Sequence, residues 1–115
     1  PRKPYFYARW CADLKSKSIP TLTLDIVPNG QEGEVKVFFR GKPLSDIKLN
    51  LYTPEYDKIE LISDKNGIVL FKDNIKSKGI YMLKIARYSE SISGFDQGKL
   101  YKIISHNCSL NWNEK

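Results

Sequence analysis

The sequence predicts an all-β fold: one antiparallel β-sandwich domain, residues 1–115, of about seven to eight short strands. Three observations predict it. Apolar and polar residues alternate with a period of two, as in half-buried strands. Clusters of Gly, Pro, Asn and Asp interrupt those runs at roughly 8–12-residue intervals, the spacing of a sandwich. No segment sustains the 3.6-residue apolar period of a helix.

The elements follow in order. Residues 4–11, PYFYARWC, are aromatic without clear alternation and read as a first strand, with a loop completing the first twenty residues. In 21–27, Leu22, Leu24 and Ile26 share one face, opposite Thr21, Thr23 and Asp25, and Pro28-Asn29-Gly30 ends the run. In 34–40, Val35, Val37 and Phe39 point inward before the turn Gly41-Lys42-Pro43. Residues 47–52 alternate up to Thr53-Pro54, and 58–61 form the next short strand. Asn66-Gly67 then stands between two apolar runs and predicts a hairpin to strand 68–71, because both residues tolerate positive φ. Residues 80–86 read as a central strand, 89–98 as a Ser- and Gly-rich loop, and 100–112 as a long last strand.

Composition narrows the function classes. The net charge is +6, from 19 Lys and Arg against 13 Asp and Glu, but the lysines are scattered singly. A footprint on phosphate needs them clustered, so a solvated surface is expected and nucleic acid is not. No apolar stretch approaches the length that spans a bilayer. The chain opens Pro1-Arg2-Lys3-Pro4 with neither Met nor a signal peptide, as expected of a processed product.

Several segments together carry a family resemblance. They are Val37-Phe38-Phe39-Arg40-Gly41-Lys42-Pro43-Leu44 with Ile47-Lys48-Leu49, then Ser63-Asp64-Lys65-Asn66-Gly67, then Gly79 to Ile85. Gly94-Phe95-Asp96-Gln97-Gly98-Lys99-Leu100-Tyr101 and Ser105-His106 follow. Over residues 34–112 this resembles a bacterial periplasmic domain family of unknown function associated with nickel uptake. Its members look like transthyretin-like or collagen-adhesin B-type, immunoglobulin-like sandwiches. The resemblance implies a non-enzymatic periplasmic or secreted binding or accessory domain, linked to transition-metal uptake, with a protein or small ligand at the cell envelope as partner. Where the family pattern has a basic residue before the histidine, this chain has Ser105.

Candidate chemistry is sparse. His106 is the single histidine, which rules out sites built from several histidines, such as those of the transthyretin-related hydrolases. His106 and Cys108 are two apart on a strand and share a face. Cys11 joins them if the first and last strands pair, and Cys11, His106 and Cys108 then suit nickel, copper or zinc. Two other states compete: two free buried thiols, or a Cys11–Cys108 disulfide worth about 4–5 kcal/mol in the loop-entropy picture. No other cofactor is expected. Asp64 opens a calcium-loop-like stretch, but Val69 and Ile75 stand where that loop needs Gly and Glu. No opposed pair of carboxylates suggests a glycosidase. Tyr5, Tyr7, Trp10, Tyr52, Tyr56 and Trp112 either pack in the core or form an exposed platform for sugars or bases. Trp10, Phe95, Tyr101 and Trp112 are the partner-binding candidates. Beside the binding domain stand two alternatives: a structural or adhesive module, and a small metal-binding protein using Cys11, His106 and Cys108.

Overall fold

The computed structural model describes the backbone of residues 2–96 and 99–115 and the side chains of residues 3–90 and 103–115. Among the described residues nine strands form two sheets: β1 Arg2–Cys11, β2 Leu24–Pro28, β3 Glu34–Phe39, β4 Lys42–Pro43, β5 Lys48–Tyr52, β6 Lys58–Ile62, β7 Ile68–Leu70, β8 Gly79–Asp96 and β9 Lys99–Glu114. A short 3-10 turn, Lys72–Asn74, precedes β8. The larger sheet has the order β1-β9-β8-β5-β6. In the smaller sheet β2 lines one edge of β3, while β4 and β7 share the other, end to end. The expected all-β sandwich is present.

Alternation explains the core. Every second residue of β3, β5, β8 and β9 turns inward, so Val35, Val37, Leu49, Leu51, Tyr81, Leu83, Ile85, Leu110 and Trp112 fill the space between the sheets. Trp112 stacks on Tyr81 with centroids 5.4 Å apart and packs on Phe71. Turn chemistry closes the hairpins. Arg40 and Gly41 both have positive φ, the pairing of a two-residue β3–β4 connection whose twist matches the strands.

Four expectations are corrected. The sandwich is not wholly antiparallel, because β1 pairs β9 in parallel, Arg2 opposite Ile103 through Cys11 opposite Trp112. The Asn66-Gly67 turn does not join hairpin partners: β6 pairs β5, whereas β7 pairs β3 in the other sheet. Asp64 builds this crossing, its Oδ1 accepting the backbone N–H of Asn66 and Ile68 at 2.8 and 2.9 Å. Gly67 is required there, since its φ is +80° and a Cβ would sit 2.9 Å from the Val37 carbonyl oxygen. Residues 89–96 are strand and not loop, extending β8 along β9, with register shifts after Ile85 and after Ser91. Finally, Asp25 is not a solvent-side residue of β2: it is fully buried, as is the whole of that strand.

Asp25 is buried because it is paired. Arg9 of β1 donates from Nε to Asp25 Oδ1 at 3.0 Å and from Nη2 to Oδ2 at 2.7 Å. The backbone N–H groups of Thr21 and Leu22 donate to the same Oδ2. A buried carboxylate needs such a charged, hydrogen-bonded partner. The fork therefore fastens β1, the edge of one sheet, to β2, the edge of the other.

Candidate functional site

Two surfaces of β9 carry the chemistry: an inward row ending in the core, and an outward row facing solvent. On the inward row, β1 and β9 bring Tyr5 and Tyr7 beside His106, while β8 supplies Tyr88 and Glu90, β3 supplies Phe39 and the β3–β4 turn supplies Arg40. His106 is 2% exposed. Its Nε2 lies 3.2 Å from Glu90 Oε1 and its Nδ1 lies 3.0 Å from the Tyr7 hydroxyl. A carboxylate only accepts, so Nε2–H donates to Glu90, and in the neutral ring the Tyr7 O–H donates to Nδ1. Glu90 also accepts from Arg40 Nη2 at 3.0 Å. The His106 hydrogen bond first, and Arg40 after it, hold the Glu90 carboxyl below its usual range. Both ring nitrogens are thus engaged within a wall of aromatic rings.

The cysteines do not come together. Cys11 lies opposite Trp112, four positions along β9 from Cys108, which puts about 13 Å between them. A disulfide needs Cα atoms within about 7 Å, and both thiols are free. The expected disulfide is therefore corrected by the parallel register. The same register separates Cys11 from His106 and Cys108, and no cluster of three metal-ligating side chains occurs among the described residues. His106 and Cys108 do share the inward face, as expected. Burial pushes the Cys108 thiol up to about 12, so it stays protonated at neutral pH, and burial also raises Cys11.

The outward row is different. Trp10, Asn111, Met82, Tyr52 and Lys58 lie side by side across all five strands. Ala8, Ser109, Lys84, Asn50 and Glu60 form the next row, and Phe6 pairs Asn107 beyond it. Phe6 is 76% exposed and Trp10 60%. Between β1 and β8 the face sinks into a shallow hollow of about 250 Å³, lined by Phe6, Ala8, Met82, Lys84, Asn107 and Ser109. Asn107 is fixed: its Oδ1 accepts the Arg87 N–H at 3.0 Å, and its Nδ2 donates to the Tyr5 carbonyl at 3.1 Å. Among the described residues, Ser109 and Asn111 spend none of their side-chain hydrogen-bonding capacity on the protein.

Of the partner-binding candidates, Trp10 stands on this face. Trp112 is corrected: it is fully buried, because its parity on β9 turns it inward, and its Nε1–H donates to Glu114 at 3.1 Å. Phe95 and Tyr101 lie outside the residues whose side chains are described. The platform as expected also divides, since Tyr7 faces inward with His106, while Tyr56 is 97% exposed in the β5–β6 turn. Sequence reading missed Phe6, Ser109, Asn111 and Met82. The signal was present in β9, where Asn107, Ser109, Asn111 and Asn113 alternate with His106, Cys108, Leu110 and Trp112. Comparison with protein-family models, curated proteins and solved structures gives no match.

Proposed function

We propose that this chain is a non-enzymatic binding or accessory domain of the cell envelope or of secretion, working through the outer face of its five-stranded sheet. The observation that carries the reading is the exposure of Phe6 and Trp10 beside the shallow hollow on that face. Large aromatic side chains left in water on one contiguous face mark an interaction site. The two groups best suited to chemistry, His106 and Cys108, are both buried in the opposite direction. The resemblance over residues 34–112 supplies the envelope setting and the link to transition-metal uptake.

Hydroxyl-radical footprinting tests the reading. The purified protein is compared with the same protein mixed with an envelope fraction of the producing organism. Oxidation of Phe6, Trp10 and Met82 is expected to fall several-fold, while Ile19 and Leu70, exposed elsewhere, stay unchanged. Equal oxidation of all five residues in both samples overturns the proposal.

A further inference from the structure

We infer that the outer face of the five-stranded sheet binds a neutral glycan chain, an inference that rests on the binding-face reading above and names its ligand class. Three features of the face point to that chemistry. First, its aromatic residues are set apart and not clustered. Phe6 and Trp10 are four positions apart on β1, about 13 Å, and Trp10 is three strand spacings from Tyr52, about 14 Å. Each offers a separate apolar plate for the C–H face of a sugar ring, over a span wider than one ring.

Second, the floor between the plates sets two small, uncharged polar side chains, Asn111 and Ser109, among the apolar Ala8 and Met82. Asn111 lies directly between Trp10 and Met82, and Ser109 directly between Ala8 and Lys84. An amide carries two donors and an acceptor with two lone pairs, and a hydroxyl both donates and accepts. Those groups match vicinal hydroxyls, which themselves donate and accept. An apolar protein surface laid on the same floor would leave them desolvated and unpaired, at a penalty for each group. The anchored Asn107 and the paired strands beneath make the floor rigid, so little ordering is lost on binding.

Third, the hollow is open and, at about 250 Å³, smaller than the clefts that enclose whole small molecules. An open trough suits a chain that continues past the protein at both ends. Charge agrees: Lys48, Lys58 and Lys84 stand singly on three different strands of the face, and Lys48 lies 3.8 Å from Glu60, so they form no continuous cationic stripe to favour a phosphate backbone.

The test is a titration of the 15N-labelled full chain with soluble oligomers of glucose, N-acetylglucosamine and mannose at millimolar concentration. Shifts are expected at the Trp10 indole and the Ala8, Ser109 and Asn111 amides for at least one oligomer, with none at the Trp112 indole. Trp10→Ala should weaken binding about tenfold, the loss of one well-placed aromatic contact. Asn111→Leu separates the two kinds of face: a glycan site loses affinity about tenfold, whereas an apolar docking face keeps or gains it. An unchanged Trp112 indole resonance certifies that each variant is folded. Failure of every oligomer to shift these resonances, with footprint protection by the envelope fraction retained, overturns the glycan and leaves the binding face standing. Loss of both signals overturns the two readings together.

Discussion

Replacing Arg9 by Met would leave Asp25 buried with half of its partners. In the folded chain that carboxylate is wholly sequestered and accepts four hydrogen bonds, two from the Arg9 guanidinium and two from the Thr21 and Leu22 backbone. Methionine keeps most of the stem volume and removes only the cation. Breaking a buried pair by deleting one partner costs about 3–5 kcal/mol, because the surviving charge stays desolvated. A 115-residue domain has roughly 6–17 kcal/mol in hand, so the variant still folds. At roughly 4 °C per kcal/mol its Tm should fall by about 12–20 °C. Urea titration gives the free energy, and hydrogen exchange locates it: amides of β1 lose more protection than those of β5. The double variant Arg9→Met with Asp25→Leu should recover at least about 2 kcal/mol relative to the sum of the singles. A loss under 1 kcal/mol with additive singles would refute the claim that this pair holds the two edges together.

Other outcomes follow from the same geometry. Glu90→Gln should lower stability above the ordinary carboxylate range and leave it unchanged below. The folded Glu90 pKa is depressed, so its contribution is present above the unfolded value of about 4.3 and disappears as pH falls through the folded one. Tm measured across pH 3–7 checks this, and parallel curves for the two proteins would contradict it. Intact mass should show two free thiols, with iodoacetamide at pH 8 modifying Cys11 slowly and Cys108 only after unfolding; a two-proton deficit would refute the register. Gly67→Ala should cost about 2–3 kcal/mol in urea, from the left-handed backbone together with the approach to the Val37 carbonyl. A change within 0.5 kcal/mol would show that the turn relaxes freely.

Much of this fold is legible before any coordinates, and the reasons for the misses are specific. Val35-Lys36-Val37 and Leu49-Asn50-Leu51 declare their inward faces because alternation is a local property. The Asn66-Gly67 turn was locatable for the same reason, but turn chemistry fixes a change of direction and not the partner of the next strand. Asp25 reads as solvent-facing because its partner, Arg9, lies sixteen residues away on another strand. The stretch after Tyr88 reads as loop because Ser and Gly are weak strand formers; cross-strand pairing to β9 overrides that preference. The separation of the cysteines depends on the β1–β9 register, which neither segment encodes alone. The buried His106 cluster draws on β1, β3, β8 and β9, and only the single histidine was visible in advance.

The parallel docking of β1 on β9 has a mechanical consequence. The first strand enters beside Ile103 and the last leaves past Cys11, so tension between residues 2 and 115 pulls the two neighbours in opposite directions along their axes. Such a load shears the ten-residue ladder, straining its hydrogen bonds together, and draws directly on the Arg9–Asp25 fork. Handles on residues 48 and 62 would instead peel β5 from β6 one pair at a time. Single-molecule extension should therefore give a clearly higher rupture force from the first pair of handles than from the second, and equal forces would contradict the shear geometry. A domain stitched this way resists stretching along its own chain far better than its modest size suggests.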